Sequence, residues 1–138
     1  MPFGLVNAPA TFQTMMNEIL REFLADRVVV YIDNILIYSK NLKDHSTLVR
    51  KVVQWLREYQ MAISLEKSVF HVKTVDFLDY VIATDGVTMN KKKVETIKAR
   101  KPPTSVREVQ IFISFANFYR QFIKNFSDIC TPIMNMLK

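Results

Sequence analysis

The most informative stretch of this sequence is VVVYIDNILIY at residues 28–38. Two short runs of β-branched and aromatic residues, 28–32 and 35–38, are separated by Asp33 and Asn34. Aspartate and asparagine both tolerate the positive backbone angles of tight turns, so the pattern predicts a β-hairpin with its turn at Asp33-Asn34. Because both runs are almost continuously apolar, helices are expected to cover at least one face of the strands.

One amphipathic helix is predicted before the hairpin and one after it. Apolar residues recur at helical spacing from Phe12 to Leu24, following a loop in which Asn7 lies near the cap and Pro9 suits the first turn. Residues 41–59 repeat the helical pattern with a second apolar face. The first part of the chain is therefore expected to be a helix, a hairpin and a helix.

Short strands are expected next. The candidates lie at residues 62–65, 68–71 and 75–82, where β-branched and aromatic residues are frequent. Asp85-Gly86 then makes a turn into a last short strand at residues 87–89.

The last third of the chain is expected to be helical. A helix is predicted over residues 90–98, and Pro102-Pro103 follows as the clearest joint in the chain. A second helix starts near Val106 with Thr104 or Ser105 as its cap, and a short one follows Ser127. We therefore divide the chain into a mixed α/β part, residues 1–89, and a helical part, residues 90–138.

Composition excludes several classes of protein. Hydrophobic residues make up 49% and charged residues 23% of the 138 residues, the balance of a folded protein. No apolar run reaches the roughly 18–20 residues that a membrane-spanning helix requires, and the first residues do not resemble a secretion signal. Cys130 is the single cysteine and therefore has no disulfide partner within the chain. His45 and His71 stand at no metal-ligand or triad spacing. An intracellular protein, in cytoplasm or nucleus, is expected.

The positive charge is concentrated at one end. Residues 1–89 carry 9 basic and 10 acidic side chains, whereas residues 90–138 carry 10 basic and 3 acidic ones. A basic helical lobe indicates a polyanionic partner, because neutralising phosphates releases counterions and favours binding. The alternative is a basic surface that serves solubility alone.

Five motifs in register resemble the reverse transcriptase of Ty3/Gypsy-type long-terminal-repeat retrotransposons. They are MPFGLVNAPATFQTMMN, VVVYIDNILIYSK, FLDYVI, FANFYRQFIKNFS and TPIMNMLK, at residues 1–17, 28–40, 77–82, 115–127 and 131–138. The resemblance covers nearly the whole chain and implies an α+β fold. It implies a partial reverse-transcriptase palm (helix, β-hairpin and helix), followed by a small sheet and a helical thumb.

The resemblance implies a metal-dependent polymerase whose active site is altered here. The family keeps two adjacent aspartates on the hairpin turn, and these carboxylates help to hold two Mg²⁺ ions. Asp33 keeps the first carboxylate as a catalytic and metal-binding residue, whereas Asn34 puts a neutral amide in the second position. The family's third aspartate lies upstream of residue 1. We therefore expect Mg²⁺ not to be held productively and this chain alone not to polymerise DNA, which leaves its status as an enzyme open. An Asp-Asn turn also needs no metal.

Two further motifs correspond to substrate contacts in the family. Phe3 and Gly4 fall in the loop that lines the incoming nucleotide's pocket, although the same residues suit a hydrophobic staple at a helix entry. Phe77, Leu78 and Tyr80 match the hairpin that steadies the primer end, with an aspartate at residue 79 where the family has glycine. That aspartate is expected to weaken the contact with phosphates.

Residues 109–120 resemble the thumb helix that follows the minor groove of a template–primer duplex. Gln110, Ser114, Asn117 and Phe118 fall on the side that would face the groove, and Ser114 replaces a common glycine. Candidate phosphate contacts are Lys91, Lys92, Lys93, Lys98, Arg100, Lys101, Arg107, Arg120 and Lys124. Core packing is the expected role of Phe112, Phe115, Phe122 and Phe126.

Three functions follow from these patterns. The first is an inactive polymerase fragment that still binds an RNA/DNA hybrid or another nucleic acid without sequence specificity. The second is a domesticated protein-interaction module or a relic without nucleic-acid function. The third is a piece of an active reverse transcriptase whose upstream half is missing. A hairpin short of neighbouring strands is also expected to favour self-association or rearrangement at its uncovered edge. No membrane partner is expected.

Overall fold

The computed structural model describes residues 6–25 and 27–137, which fall in two compact units, Met1–Phe77 and Leu78–Lys138. The helices of the first unit are α1 (Ala8–Ile19), α2 (Arg21–Leu24) and α3 (Leu42–Glu58). Its strands are β1 (Val28–Tyr31), β2 (Asn34–Ile37) and β3 (Thr74–Phe77), with a 3₁₀ turn at Leu65–Lys67. No described helix is both long and apolar enough to cross a membrane.

The core of the first unit lies between the hairpin and the helices, as the apolar strands predict. Helices α1 and α2 contact β1, and α3 contacts β2. Trp55 of α3 donates a hydrogen bond from its indole Nε1 to the carbonyl of Ile19 at 2.6 Å, which links α3 to the end of α1. The buried cluster consists of Met16, Ile19, Leu20, Val28, Val52 and Leu56.

The first helix is not continuous, contrary to the sequence pattern. It ends at Ile19, and α2 begins at Arg21 after a bend at Leu20. The carbonyl of Leu20 accepts hydrogen bonds from the amides of Phe23 and Leu24, so the bend leaves few unpaired backbone groups. Because of the bend, both Phe23 and Leu24 pack on the buried cluster.

The strand predictions at residues 62–65 and 68–71 were wrong. This segment forms the 3₁₀ turn Leu65–Lys67, and its polar groups bond locally. The hydroxyl of Ser68 donates to the carbonyl of Ser64 at 2.7 Å, and the amide of Ser68 donates to the carbonyl of Leu65 at 3.2 Å. Such local bonds satisfy the backbone without a neighbouring strand.

The second unit contains a hairpin and three helices. Strands β4 (Tyr80–Ala83) and β5 (Gly86–Met89) pair antiparallel, with Tyr80 opposite Met89 and Ala83 opposite Gly86. The helices are α4 (Lys91–Lys98), α5 (Val106–Phe118) and α6 (Phe126–Asn135). Tyr119 is almost completely buried, at 2% exposure, and its ring contacts those of Tyr80, Phe115 and Phe118.

Side-chain caps fix the starts of three helices. The Ser105 hydroxyl accepts from the amide of Glu108 at 3.2 Å, while the Glu108 carboxylate accepts from the amide of Thr104 at 2.7 Å. Hydrogen bonds from the backbone and the side chain of Thr104 hold the pKa of Glu108 below its usual value. Asn90 caps α4 and Asn41 caps α3 through their side-chain carbonyls. Of the two cap candidates for α5, Ser105 is the residue used.

Replacing Asn41 by alanine is expected to lower the stability of the first unit by about 1 kcal/mol, since N-cap losses lie at roughly 0.5–2 kcal/mol. Asn41 accepts a bond from the amide of Asp44 at 2.8 Å and donates one to its carboxylate at 2.6 Å. Urea unfolding followed by Trp55 fluorescence measures the effect. Thr47→Ala, on the exposed side of the same helix, is the control and should be neutral or slightly stabilising; equal losses in both variants would contradict the capping role.

Candidate active-site turn and nucleic-acid interface

The hairpin at residues 28–38 is present, but its turn lies one residue earlier than predicted. Tyr31 pairs with Asn34, so the two loop residues are Ile32 and Asp33, and Asn34 is the first residue of β2. Ile32 adopts a positive φ of 52°. A β-branched residue is rarely found in that region and costs on the order of 1–3 kcal/mol there, so other contacts must hold the turn in place.

Gln13 of α1 supplies these contacts. Its side-chain Oε1 accepts from the amide of Ile32 at 2.5 Å, and its Nε2 donates to the carbonyl of Val30 at 3.2 Å. The second Nε2 hydrogen bond goes to Asn17 Oδ1 at 2.8 Å. Both polar atoms of this half-buried amide are therefore bonded, the oxygen to the turn residue Ile32 and the nitrogen to Val30 of β1 and Asn17 of α1. We call this set of bonds the Gln13 clamp.

The clamped turn presents Asp33 and Asn34 at the surface. Both residues are exposed, and Asn34 Nδ2 donates a hydrogen bond to Asp33 Oδ1 at 3.2 Å. The amide thus bonds to one carboxylate oxygen that a cation would otherwise use. Within residues 6–25 and 27–137, no three His, Cys, Asp or Glu side chains are grouped so that they could hold a metal ion. The described donors therefore do not fit a centre of two magnesium ions, which needs several carboxylate oxygens.

The predicted nucleotide-pocket residues Phe3 and Gly4 lie outside the described residues. Their assignment to a nucleotide pocket therefore stays a prediction.

His45 and His71 are brought together although they are far apart in sequence. Their ring centroids lie 5.2 Å apart in an edge-to-face arrangement. Both line a cleft of about 540 Å³ in the first unit. Burial and the neighbouring His71 ring lower the pKa of His45. Sequence spacing gave no signal of this contact.

The FLDYVI motif forms the end of β3, a tight turn and the start of β4. Leu78 and Asp79 both have positive φ, at 51° and 67°. Aspartate tolerates this conformation better than most residues, and glycine, the residue of the family pattern, adopts it without cost. Tyr80 then stacks on Phe118 of α5, with ring centroids 5.3 Å apart and planes 20° apart. Two predicted nucleic-acid contacts therefore touch each other.

The turn residue Asp79 is ion-paired with a predicted phosphate contact. Its carboxylate lies 3.2 Å from the ammonium group of Lys93, in the first turn of α4. The Asp79 carbonyl also accepts a hydrogen bond from the amide of Asn90 at 3.4 Å. Burial and the Asp79 carboxylate raise the pKa of Tyr119, whereas Lys93 opposes this effect.

Helix α5 exposes polar residues together with the aromatic Phe118, which is 51% exposed, whereas other aromatic residues of α5 and of the segment after it are half-buried. The four residues predicted to face a groove, Gln110, Ser114, Asn117 and Phe118, are all exposed. The four predicted to pack in the core, Phe112, Phe115, Phe122 and Phe126, are half-buried. Lys93 is half-buried, whereas eight predicted phosphate contacts are exposed, namely Lys91, Lys92, Lys98, Arg100, Lys101, Arg107, Arg120 and Lys124.

A match to a known protein family identifies the family of this chain. Residues 1–82, more than half of the chain, match the family described as reverse transcriptase (RNA-dependent DNA polymerase). The chain belongs to this reverse transcriptase family. This match, together with the transposon relatives over the whole chain, confirms the resemblance indicated by the five motifs.

Relatives of this chain include retrotransposon polyproteins. The chain is 38% identical over all 138 residues to the retrovirus-related Pol polyprotein from transposon opus of Drosophila melanogaster, and it spans 14% of that protein's length. It is 36% identical over its full length to the Pol polyprotein from transposon gypsy of the same organism, of which it spans 13%. The chain thus corresponds to a small part of these polyproteins.

Solved structures share the fold. The foamy viral protease-reverse transcriptase dRH, in complex with double-stranded DNA, matches 97% of this chain with a TM-score of 0.87 and 28% identity. The match covers 23% of the viral chain. A foamy viral protease-reverse transcriptase in complex with an RNA/DNA hybrid matches 99% of this chain and 18% of its own, with a TM-score of 0.81 and 28% identity. The expected α+β, partial reverse-transcriptase fold is confirmed.

Two contacts at the candidate site could not be predicted from the sequence. In the sequence, Gln13 is an ordinary polar residue of an amphipathic helix. Only the fold brings it to the turn of Asp33. The ion pair of Asp79 with Lys93 joins residues from different elements. Spacing along the chain indicates neither contact.

Replacing Gln13 by methionine is expected to accelerate solvent exchange of the Ile32 amide proton about tenfold, the equivalent of one hydrogen bond of roughly 0.5–1.5 kcal/mol. Methionine keeps the length of the side chain but not its amide. Amide hydrogen exchange followed by NMR measures the effect residue by residue. Gln54→Met is the control, because the Gln54 side chain bonds to Glu58 within α3 and lies far from the turn in sequence. Unchanged exchange at Ile32 would show that the clamp does not hold the turn.

Proposed function

We propose that this chain binds nucleic acid without sequence specificity through its basic part, residues 90–138, and that it does not polymerise DNA by itself. The observation that carries the proposal is that Gln110, Ser114 and Asn117 of α5 and eight predicted phosphate contacts are all exposed within the same compact unit. In this interpretation residues 1–89 are a partial palm, and residues 90–138 are a thumb-like lobe.

Charge and similarity both support the binding part of the proposal. Eight exposed lysine and arginine side chains can neutralise phosphates and release counterions, which makes binding strong at low salt and weak at high salt. Gln110, Ser114 and Asn117 offer short polar groups that can contact a duplex through sugars and base edges. Solved reverse transcriptases of the same fold are complexes with double-stranded DNA and with an RNA/DNA hybrid.

The chemistry of the turn supports the absence of polymerase activity. Two-metal catalysis needs carboxylates to fix both ions, and the turn offers Asp33 with a neutral amide beside it. Asn34 carries no charge and therefore attracts a hard cation less than an aspartate would. By family resemblance the ions would be Mg²⁺, with Asp33 as one ligand.

Fluorescence anisotropy of a labelled RNA–DNA hybrid, titrated with the chain at two salt concentrations, tests the proposal. We expect binding that falls steeply between about 50 and 200 mM salt. A primer-extension assay with the same hybrid and Mg²⁺ should show no product. Absence of binding at micromolar protein and low salt would contradict the proposal and favour a protein-interaction module or a relic. Primer extension by the unmodified chain would contradict the argument from Asn34.

The Gln13 clamp favours a second candidate, a piece of an active polymerase. A relic has no reason to keep hydrogen bonds from α1 both to the strained turn residue Ile32, next to Asp33, and to Val30 of the strand that leads into the turn. In this case a polypeptide extended upstream would extend a primer, either unmodified or after Asn34→Asp. Failure of both forms would remove this candidate.

Self-association remains a proposal with its own test. The hairpin of the first unit has two strands, and Val29 and Tyr31 of β1 are 42% and 50% exposed. Exposed apolar strand residues invite pairing with a second copy. Sedimentation over a range of protein concentrations would detect a dimer; a monomer throughout would contradict the proposal.

A further inference from the structure

The Asp79–Lys93 ion pair joins two residues with opposite effects on a polyanion. Lys93 is a candidate phosphate contact, and its ammonium group lies 3.2 Å from the Asp79 carboxylate. Both side chains remain about half exposed, at 40% for Lys93 and 51% for Asp79. Exposed pairs of this kind are weak, so an incoming phosphate can compete for the lysine.

The backbone of Asp79 is bonded to the residue that precedes the helix of Lys93. Asp79 sits in a tight turn with φ of 67°, and its carbonyl accepts from the amide of Asn90, the cap of α4. The turn is therefore tied to the start of the helix that carries Lys93. The first turn of α4 contains no acidic residue of its own but three lysines, so Asp79 supplies the negative charge that this helix start otherwise lacks.

We infer that Asp79 limits the affinity of this chain for nucleic acid by keeping Lys93 in an intramolecular ion pair. A phosphate that reaches Lys93 must break this pair and leave the Asp79 carboxylate unpaired beside the nucleic-acid backbone. Both consequences oppose binding. The inference rests on the proposed nucleic-acid binding and identifies a residue that tunes its strength.

The charge-neutral variant Asp79→Asn tests the inference. Asparagine tolerates positive φ as aspartate does, so the turn is expected to keep its conformation. We expect it to bind an RNA–DNA hybrid about three- to tenfold more tightly at about 50 mM salt than the parent chain. The slope of log K against log salt should become steeper by up to about 0.9, because Lys93 then acts as one additional phosphate contact.

Asp85→Asn is the matched control. Asp85 is exposed in the turn between β4 and β5, at the other end of the strand that follows Asp79, and the substitution changes the net charge by the same amount. It therefore reproduces the long-range effect of one lost negative charge. Only the difference between the two variants reports the ion pair with Lys93.

A second substitution separates the pair from general charge effects. Lys93→Gln should weaken binding less than about twofold in the parent chain, where the lysine is already paired, but about three- to tenfold in the Asp79→Asn background. Equal affinities and salt slopes for Asp79→Asn and Asp85→Asn would overturn the inference while leaving nucleic-acid binding intact. Absence of binding by the parent and by every variant would overturn the proposed function, and the inference with it.

Discussion

Replacing Lys91, Lys92, Lys98 and Lys101 by glutamine together is expected to weaken binding of an RNA–DNA hybrid by at least about a hundredfold at about 50 mM salt. These four lysines lie on α4 or just beyond it, and all are exposed. Each lysine that neutralises a phosphate contributes about 0.9 to the slope of log K against log salt, so the slope should become shallower by up to about 3.6. Fluorescence anisotropy at several salt concentrations measures both quantities. Lys93 is left in place because its charge is already paired with Asp79.

A matched variant removes the same charge from the other compact unit. Four exposed basic residues there are replaced by glutamine, namely Lys40, Lys43, Arg50 and Lys51. If binding is located in residues 90–138, this variant should lose less than about threefold in affinity. Equal losses in the two variants would show that net charge alone drives binding. Unchanged affinity in the α4 variant would show that the basic lobe is not the binding surface.

Leu20→Ala is expected to lower the free energy of unfolding of the first unit by about 2–5 kcal/mol. Leu20 has no exposed surface and lies at the bend between α1 and α2, in contact with the buried cluster. Truncation removes buried methyl groups and leaves a cavity that the two tethered helices cannot easily close. A loss of this size is a large share of the roughly 5–15 kcal/mol that stabilises a typical domain.

Trp55 makes this measurement specific to one unit. It is the only tryptophan of the chain, and its ring lies edge-on to Phe23, with centroids 5.9 Å apart. Its fluorescence in a urea titration therefore reports the unfolding of the first unit. Leu42→Ala is the control, because Leu42 lies at the start of α3 and is 67% exposed. A loss below about 1 kcal/mol for Leu20→Ala would mean that the bend collapses onto the cavity and that Leu20 is not central to the core.

Local patterns in the sequence were sufficient for most elements of the fold. The two runs of β-branched and aromatic residues gave the hairpin of β1 and β2, and helical spacing gave both ends of α3 and the start of α5 within a residue or two of those observed. Capping chemistry is equally local, because the side chain of Ser105 bonds an amide three residues away. The five motifs in register also gave the reverse transcriptase family, since family patterns are read along the chain.

Predictions were wrong where contacts between elements, or local hydrogen bonds, outweighed the turn, helix and strand preferences of the residues. Asp33-Asn34 is the better turn by propensity, yet the turn is Ile32-Asp33, because the clamp from Gln13 holds the amide of Ile32. The helix expected through Leu24 bends at Leu20 so that α2 can pack on the same core. Residues 62–71 have a strand-like composition, but the hydroxyl of Ser68 donates a hydrogen bond to the carbonyl of Ser64 within the same segment.

The sequence by itself determined the family, the main helices and hairpins, the basic character of residues 90–138 and the amide at position 34. Each of these depends on the identity of residues or on spacings of a few positions. Only the tertiary structure determined which residues meet across elements: Gln13 with the turn of Asp33, His45 with His71, and Asp79 with Lys93. Such contacts depend on how helices and turns pack in three dimensions, and a hydrogen bond or ion pair forms only when that packing brings two groups within about 3 Å.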